Sequence, residues 1–484
     1  MITINFEGRE KIPLWEWIYL SVKHQIENEI LVSGEKLPSK RNLATHLGVS
    51  IITVQTAYQQ LIDEGWIYSI EKKGFFVTDI KNNKIISSAI KADADRITKK
   101  TSSSKTEAES KDDEKILIDL TSNSVTEEKF PFSLWARIAR KILNGQSHTL
   151  LERASVFGTE QLRSALAKYL SDFRGMSVDE KQIVVGAGTE SLYSMLAQFL
   201  GRDKIFAVEN PGYPKVKKIF ELNGVKTIAV QTDGDGMCVE KLLKTKASVI
   251  HISPNHHFPT GSVMGIKRRL ELLDWCEKKT GRFIIEDDYD SEFRFNGKPL
   301  PPLQYSDSTG SVIYVNTFSK ILSPSFRISY MVLPKKIIES FTKKIGIYSC
   351  PVPALDQLIL ADFIDGGHLE KHISRMRNIY RNLRNALIQA IEKSSLSKNS
   401  KILEENSGLH FLLEIETEKT KSEIREELFE RKIKIAQLDD FYLDGKNVQE
   451  KNGRTVLVVN YSALKKDEIP YLVSALESIA KQAA

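Results

Sequence analysis

A lysine, Lys320, follows a short apolar run, Val312–Val315, whose β-branched residues predict a buried strand. Desolvation at the edge of such a strand lowers the pKa of an amine, and a neutral amine can form a Schiff base with an aldehyde. The hydroxyls of Thr317 and Ser319 and the guanidinium of Arg327 are suited to a phosphate on the same molecule. The plainer alternative is a solvated loop lysine, with Arg327 opening the next strand.

Other side chains with binding chemistry follow other predicted strands, and ligands of open α/β sheets bind at the carboxyl ends of the strands. Gly188 and Thr189 belong to a small-residue turn that opens a helix, whose N–H groups suit a phosphate. Tyr213 can lie across a flat ring, Asp287 can hold a protonated pyridine nitrogen, and Tyr289 can bond a ring hydroxyl. Taken singly, the small-residue turn is only a turn, Asp287 is a cap or a surface acid, and Tyr213 is a core aromatic. Together with the lysine and the arginine they supply the contacts that pyridoxal 5′-phosphate requires.

The elements that must position these residues are strands alternating with helices after about residue 118. The predicted strands are Ile183–Val185, Ile205–Val208, Thr227–Val230, Val249–Ile252, Phe283–Glu286, Val312–Val315 and Arg327–Leu333. This alternation predicts an α/β domain with a mostly parallel sheet and crossover helices. Past about Phe341, a long helical stretch leads to a smaller α+β region with strands near Leu409–Glu414 and Val456–Tyr461.

The first 80 residues predict a different, compact domain. Its expected elements are the helix Pro13–Val32, a short helix between Ser39 and Gly48, the helix Ile51–Glu64, and the hairpin strands Trp66–Ile70 and Gly74–Thr78. Helix, turn, helix and hairpin in this order predict a winged helix-turn-helix (α+β), in which the second helix of the pair reads the major groove of DNA.

Charge and composition divide the chain into three parts. Residues 1–80 contain 8 Lys+Arg and 10 Asp+Glu, a net charge of 8 − 10 = −2, so DNA binding must depend on local basic clusters and on pairing two domains. Residues 81–115 are rich in charged and hydroxyl residues and lack aromatic residues, which predicts a flexible linker. Residues 116–484 form the large α/β unit.

The first part resembles the DNA-binding domain of GntR-type regulators. The matching residues are Leu37–Arg41, Leu43-Ala44, Leu47–Ser50, Thr53-Val54, Ala57-Tyr58, Leu61, Glu64-Gly65 and Gly74–Val77. The resemblance implies that DNA is contacted by Lys40, Arg41, Thr53, Gln55, Lys72, Lys73 and Gly74. One departure stands out, because Ile51 occupies a position that is usually a basic DNA contact.

Over about residues 118–480 the chain resembles fold-type I aminotransferases. The matching motifs are Phe157-Gly158, Gly186–Thr189, Glu209–Tyr213, Pro259–Gly261, Glu286–Arg294, Thr317–Lys320 and Arg327–Tyr330. A GntR-type head on such a body is the arrangement of the MocR/GabR family of bacterial transcription regulators. The resemblance implies a head-to-tail homodimer and pyridoxal 5′-phosphate bound by Gly188, Thr189, Tyr213, Asp287, Tyr289, Thr317, Ser319, Lys320 and Arg327, with Lys320 as the Schiff-base lysine.

The effector is less clear because an expected arginine is missing. Aminotransferases hold the substrate carboxylate with an arginine just before a final Asn-aromatic-Ser run, and here valines precede Asn460. Lys215 stands where a GABA-sensing relative is expected to have an arginine, and His257 replaces a common glutamine. Arg454 lies on a turn-like stretch that favours a surface role. Two effectors remain open: an amino compound anchored differently, or pyridoxal phosphate itself, as in vitamin B6 regulation.

Three functional classes follow from these features. The first is a transcription regulator that uses its body as a sensor; the second is an active aminotransferase with an appended DNA-binding head; the third is a body that binds no cofactor and only dimerises. No apolar run approaches the ~20 residues of a membrane helix, and no secretory signal is visible, so we expect a cytoplasmic protein. The three cysteines have no metal-ligand spacing, so no metal site is expected.

Overall fold

The computed structural model describes residues 4, 12–28, 30–70, 73–78, 116–122, 129–145, 150–295, 299–405, 408–444 and 453–481. The predicted linker, residues 81–115, lies outside these ranges. Within the described helices, no segment combines the length and the apolar character that crossing a membrane requires.

The head, within the first 80 residues, has the predicted helices and hairpin in the predicted order, and one strand, β1, that was not predicted. Its elements are α1 (Leu14–Glu27), β1 (Lys36–Leu37), α2 (Lys40–Leu47), α3 (Ile51–Asp63), β2 (Ile67–Ile70) and β3 (Gly74–Val77), with the strands in the order β1-β3-β2. The caps are also as predicted: Ser39 accepts the N–H of Asn42, Ser50 accepts the N–H of Thr53, and Gly48 ends α2 in the left-handed region.

The first helix is shorter than predicted. It ends at Glu27, because the side-chain amide of Asn28 donates to the carbonyl oxygen of His24 at 2.8 Å and closes the last turn. Ile30 was expected to continue the apolar face and Val32 to end the helix, but they are 65% and 57% exposed. The apolar residues after Glu27 therefore extended the predicted helix beyond its true end.

The body is built on an eight-stranded, mostly parallel sheet, as predicted. Its strands are β5 (Ile183–Gly186), β6 (Ile205–Asn210), β7 (Lys226–Asp233), β8 (Gly236–Met237), β9 (Val249–Ile252), β10 (Phe283–Asp287), β11 (Val312–Thr317) and β12 (Ser329–Val332). The spatial order is β5-β12-β11-β10-β9-β6-β7-β8, with β12 and β8 antiparallel to their neighbours. Strand β11, which precedes Lys320, is buried at every position.

One boundary in this sheet was predicted wrongly. Arg327 was expected to open β12, but it adopts φ 51°, ψ 33° in the left-handed region and the strand begins at Ser329. Because β12 is antiparallel, its first residue pairs with Thr317 and Gly186, at the carboxyl ends of β11 and β5. The turn before β12 therefore brings Arg327 to the edge of the sheet where ligands bind.

Helices cover the sheet, and a smaller α+β region follows it. The helices of the body are α4 (Phe132–Gly145), α5 (Glu160–Arg174), α6 (Thr189–Leu200), α7 (Pro214–Leu222), α8 (Val239–Leu243), α9 (Ile266–Glu277), α10 (Ile338–Ile345), α11 (Ala354–Asp365), α12 (His368–Lys393), α13 (Lys421–Glu430) and α14 (Ile469–Ile479). The smaller region contains β13 (Ser400–Leu403), β14 (His410–Glu416), β16 (Ala436–Gln437) and β17 (Arg454–Asn460) in the order β13-β14-β17-β16. A separate two-stranded pair joins β15 (Ile433–Lys434) to β4 (Ile118–Asp119), where the body begins.

Candidate functional site

A cavity of about 440 Å³ lies at the carboxyl ends of the central strands, between the large sheet and the smaller α+β region. Its lining includes eight of the nine residues predicted to bind a cofactor: Thr189, Tyr213, Asp287, Tyr289, Thr317, Ser319, Lys320 and Arg327. The ninth, Gly188, is adjacent, and a Cβ atom there would clash with the Arg327 guanidinium. The structure therefore brings the predicted set together around one space.

Lys320 lies in the loop after β11 and lines this cavity. Burial lowers the pKa of Lys320 to about 8, although the carboxylates of Asp290 and Asp287 favour its charged form. Its ammonium nitrogen is 5.9 Å from the centre of the Tyr289 ring. Relative to an ordinary lysine, a pKa near 8 increases the neutral, nucleophilic fraction at pH 7 by about two orders of magnitude.

Asp287 ends β10 with a carboxylate oxygen that lacks a partner. Oδ1 is buried and has no hydrogen-bond partner among the described residues. Burial raises the pKa of Asp287 to about 7, while a hydrogen bond from Tyr193 to the carboxyl favours the ionised form. His251 Nε2 is 3.6 Å from Oδ2, and burial lowers the pKa of this histidine to about 4, so it is neutral. A buried acceptor without a partner is costly, and a cationic ring N–H in the cavity would satisfy it.

One end of the cavity presents hydroxyls, backbone N–H groups and cations. Helix α6 begins after Gly188 without a side-chain cap, so its first N–H groups remain available to an anion. Thr317 Oγ1 donates to Ser319 Oγ at 3.0 Å. Arg327 Nη2 donates to Glu190 Oε2 at 2.7 Å. These groups are the donors that a phosphate needs.

Glu190 joins two cations at this end of the cavity, since both Lys215 and Arg327 contact its carboxylate. The hydrogen bond from Lys215, followed by the charge of Arg327, outweighs partial burial and lowers the pKa of Glu190. Glu190 and Lys215 both line the cavity. Lys215 is the residue found in place of an expected arginine, and here it extends the positive end of the site.

A buried polar group lies behind Tyr289, which lines the cavity. Tyr289 Oη is 3.1 Å from His256 Nδ1, which is 2.9 Å from Asp290 Oδ2. His410 packs against His256 with ring centres 4.6 Å apart, and burial lowers its pKa well below the ordinary value. His256, Asp290 and His410 offer potential metal-ligand atoms within 4.8 Å of one another, a grouping that sequence spacing did not indicate. The neighbouring cavity is only about 10 Å³, too small for more than one water molecule.

His257, which stands where a glutamine is common, lies beside the buried acid Glu209. Its Nε2 is 3.5 Å from Glu209 Oε2, and both residues line the large cavity. Burial raises the pKa of Glu209 to about 8 and lowers that of His257 to about 3. At neutral pH both side chains are therefore mainly uncharged, and this wall presents no fixed charge to a ligand.

The sequence lacks the arginine with which aminotransferases are expected to hold the substrate carboxylate. Val458 lines the cavity, and Arg327 is the one arginine among the described residues that line it. Arg454 contacts Glu414 and Glu416 at 3.1 and 2.9 Å on the surface of β14, which confirms its predicted surface role. Besides Lys320, the described lining residues whose side chains can attract a carboxylate are Arg327 and Lys215.

The residues predicted to contact DNA lie on the head. Arg41 and Gln55 are exposed, Thr53 lies in the first turn of α3, and Lys40 Nζ is 5.4 Å from the centre of the Phe75 ring. In the wing, Lys73 is exposed and Gly74 has φ +111°. Lys72 lies outside the described residues. The N-terminal half of α3 also exposes Ile51 and Ile52, at 47% and 76%.

The lining residues to which the sequence assigned no role include Tyr193, His251 and Glu190. His251 gave a detectable signal, because it is the polar residue within the otherwise apolar β9. Tyr193 and Glu190 lie in α6, where helical spacing from Thr189 directs them to the same edge of the sheet. Only the tertiary arrangement shows that they reach the predicted set.

Two family models match the chain. Residues 14–77 match the bacterial regulatory proteins of the gntR family, and residues 115–476 match aminotransferase class I and II. Members of the second family use pyridoxal phosphate.

Curated relatives named as transcriptional or catabolic regulators match most of the chain. The chain is 36% identical over 404 residues to the uncharacterized HTH-type transcriptional regulator YdeL of Bacillus subtilis (strain 168), covering 84% of each chain. It is 30% identical to the probable rhizopine catabolism regulatory protein MocR of Rhizobium meliloti, covering 76% of this chain and 75% of the relative. It is also 30% identical to the HTH-type pyridoxine biosynthesis transcriptional regulator PdxR of Corynebacterium glutamicum, covering 81% of each.

A solved structure resembles the body. The kynurenine aminotransferase of Pyrococcus horikoshii superposes with a TM-score of 0.65 at 25% identity, covering 75% of this chain and 90% of that one. The body therefore has the fold-type I aminotransferase architecture.

Proposed function

The chain belongs to the MocR/GabR family of GntR-type transcription regulators, and we propose that it regulates transcription in response to pyridoxal 5′-phosphate bound in the cavity of its body. One observation carries this proposal: an amine with a lowered pKa, an acceptor oxygen without a partner among the described residues, and a cationic, hydroxyl-rich end surround the same cavity. Bound there, pyridoxal phosphate supplies an aldehyde, a basic ring nitrogen and a dianionic phosphate.

Each side chain has a separate task in this proposal. Lys320 provides the amine that holds the aldehyde, and Asp287 accepts the ring N–H with its unpartnered oxygen. Tyr289 bonds the ring hydroxyl, and Tyr213 covers the ring. The phosphate is held by Gly188, Thr189, Thr317, Ser319 and Arg327.

Pyridoxal phosphate itself is the effector that the cavity favours over an amino acid. Amino-acid recognition requires a second cation to hold the carboxylate, and the two candidates at the wall, Lys215 and Arg327, already share Glu190 at the phosphate end. Val458 stands where the guanidinium of an aminotransferase is expected. The relative named for pyridoxine biosynthesis supports a regulatory role linked to vitamin B6.

The head is proposed to bind double-stranded DNA through Lys40, Arg41, Thr53, Gln55, Lys72, Lys73 and Gly74. Since residues 1–80 are not net basic, two heads in a head-to-tail homodimer are needed to contact enough phosphates. The expected operator therefore contains two half-sites, whose separation is set by the dimer.

The decisive experiment measures DNA binding with and without the cofactor. Fluorescence anisotropy with DNA from upstream of the protein's own gene is recorded for cofactor-stripped protein, for protein saturated with pyridoxal phosphate, and for the saturated protein with a panel of amino acids. We expect pyridoxal phosphate alone to produce the full change in affinity. A change that appears only after an amino acid is added would overturn the assignment of the effector, and no change under any condition would overturn the sensor.

The second candidate function is an active aminotransferase, favoured by the gathering of the predicted cofactor-binding residues around one cavity and by the similarity to aminotransferases. Steady-state transamination is measured over pairs of common amino acids and keto acids. We expect negligible turnover, because no guanidinium besides Arg327 lines the described cavity to orient a substrate carboxylate. Robust turnover with any pair would replace the pure sensor by an enzyme attached to a DNA-binding head.

A further inference from the structure

The head docks on the body through the C-terminal end of α3. The backbone N–H of Ile266, the first residue of α9, donates to the carbonyl oxygen of Glu64 at 2.9 Å. Gly65 has φ +77°, and a Cβ atom there would lie 2.8 Å from Gly265 Cα. Ile266 is 8% exposed because it belongs to the apolar core of the head, where Leu270 also packs. The contact is therefore close-packed at the level of the backbone.

Glu64 connects this contact to the interior of the head. Its carboxylate accepts the hydroxyl of Tyr19 at 2.8 Å, the amide of Gln60 at 2.7 Å and the indole N–H of Trp66 at 3.0 Å. Tyr19 belongs to α1 and Gln60 to α3, so one residue bonds both helices by its side chain and the body by its backbone. A shift of α9 against Glu64 would consequently move the head as a unit.

A charge pair closes the side of the docked surface. Arg294 of the body contacts the carboxylate of Asp63, the last residue of α3. The two side chains are 7% and 20% exposed. A partly buried pair is screened much less by salt than a surface pair, and loss of one partner leaves an uncompensated charge.

Two short paths lead from the cofactor cavity to this surface. In the first, Tyr289 contacts His256, His256 contacts Asp290, and both line a small cavity together with Arg294. Tyr289 and Arg294 also belong to the same segment after β10, so movement of the tyrosine is transmitted along a short stretch of backbone.

The second path runs through buried hydrogen bonds beside Asp287. Asn255 donates to Asp288 Oδ1 at 3.0 Å, and Arg269 Nη2 donates to Asn255 Oδ1 at 2.7 Å. Arg269 lies in the first turn of α9, the helix that touches the head, and its Nε donates to Met264 O at 2.9 Å. The path is contiguous from the end of β10 to the docking surface, which is what physical coupling between two sites requires.

We infer that the Asp63–Arg294 contact, together with the Glu64–Ile266 bond, is a latch through which occupancy of the cofactor cavity changes the affinity of the head for DNA. This inference rests on the proposed function. Docking leaves Arg41 and Gln55 exposed, so the latch does not cover the DNA-reading surface. It fixes the direction in which α3 points, and in a dimer the directions of two heads decide whether both half-sites can be contacted at once. A ligand shifts such an equilibrium only when it favours one position of the latch.

Charge reversal tests the latch. Arg294→Asp and Asp63→Arg each place like charges together, whereas the double variant restores an opposite pair with its direction exchanged. For each protein, DNA affinity is measured with and without pyridoxal phosphate, and cofactor binding is measured by the visible absorbance of the bound cofactor. Arg454→Asp is the matched control, since it makes the same substitution in an arginine paired with acids on a distant surface.

The readout is the ratio of the two DNA affinities. Allosteric coupling is commonly worth about 5- to 150-fold, and we expect each single reversal to bring the ratio to within about twofold of one. The double variant should recover more than half of the wild-type effect on a logarithmic scale, and the control should retain all of it. Cofactor absorbance should be unchanged in all variants, because none of the substituted residues lines the large cavity.

The outcomes separate the two proposals. A wild-type response that persists in both single variants overturns the latch and leaves the proposed function standing. A wild-type protein that binds pyridoxal phosphate without any change in DNA affinity overturns the proposed function and the latch with it. If circular dichroism shows that a reversal prevents folding, Asp63→Asn and Arg294→Gln replace it, with the same loss of the ratio expected.

Discussion

Lys320 is the residue whose chemistry depends most on its surroundings. An ordinary lysine is almost entirely protonated at neutral pH, whereas burial lowers the pKa of Lys320 to about 8. The opposing carboxylates of Asp290 and Asp287 keep the pKa from falling further. At neutral pH a minor fraction of the Lys320 side chains is therefore neutral and able to react with an aldehyde. The larger fraction is protonated and is stabilised by the two carboxylates.

A pH dependence follows from this pKa. Only the neutral amine attacks an aldehyde, so the rate of cofactor incorporation should rise with pH through a midpoint near 8 and level off above about 9. Stopped-flow absorbance of cofactor-stripped protein mixed with pyridoxal phosphate, from pH 6 to 10, measures this profile. Lys320→Ala should show no incorporation, and Lys335→Ala, outside the cavity, should retain the wild-type profile. A midpoint near that of ordinary lysine would contradict the lowered pKa.

The carboxylate of Asp287 should contribute to the affinity for pyridoxal phosphate. Asp287→Asn keeps the shape of the side chain and removes the negative charge that pairs with a ring N–H. Since hydrogen bonds to charged groups contribute about 1.5–3 kcal/mol, the affinity for pyridoxal phosphate should fall by roughly 10- to 150-fold. Equilibrium titration by absorbance measures the loss. Asp235→Asn, an exposed acid on the turn between β7 and β8, is the control, and an equal loss there would remove the support for Asp287.

At the scale of the element, α3 carries both functions of the head. Its N-terminal turns carry Thr53 and Gln55, two of the residues proposed to meet DNA, and its C-terminal end contacts the body. This separation explains how one 13-residue helix can bind DNA and be held by the body at the same time. The N-terminal half is apolar where a cation is usual, since Ile51 is 47% exposed.

Replacing that isoleucine tests the orientation of α3 on DNA. Ile51→Lys should tighten binding, because one more phosphate is neutralised, and should steepen the slope of log affinity against log salt by about 0.9. Anisotropy titrations at several salt concentrations measure both quantities. Leu222→Lys adds the same charge on α7, where it is 77% exposed on the body. If both substitutions change the slope equally, α3 does not lie against the phosphates as proposed.

Sequence predicted the elements better than their arrangement. The runs ending near Val185, Ile252, Glu286 and Val315 were found because β-branched residues in buried strands have a strong local signal. The order of the sheet was not predicted, because pairing between β12 and β5 joins segments far apart in the chain. For the same reason the partners of Asp287 on α6 and β9 were missed, whereas Asp287 itself was found at the end of its own strand.

The whole molecule leaves an apolar surface exposed on the body. Leu151, Ile347 and Tyr348 are 89%, 79% and 51% exposed. Arg153 holds the two segments side by side, since its Nε donates to Ser349 Oγ at 2.6 Å and its Nη2 donates to Ile347 O at 3.1 Å. A group of large apolar side chains held in fixed positions at the surface is typical of a protein interface. A second copy of the chain is the partner that a symmetric homodimer would provide.

The dimer can be tested at this surface. Ile347→Glu places a charge at the centre of the exposed apolar group, where burial without a partner would cost several kcal/mol, so the dimer should dissociate. Sedimentation velocity should then give a monomer, and affinity for DNA with two half-sites should fall towards that for one half-site, because the two heads no longer bind together. Phe429→Glu, at a residue 47% exposed on α13, should leave both measurements unchanged. A dimer that survives Ile347→Glu with unchanged DNA affinity would place the subunit contact on another surface of the body, and cofactor absorbance in the same sample would show whether the cavity had remained intact.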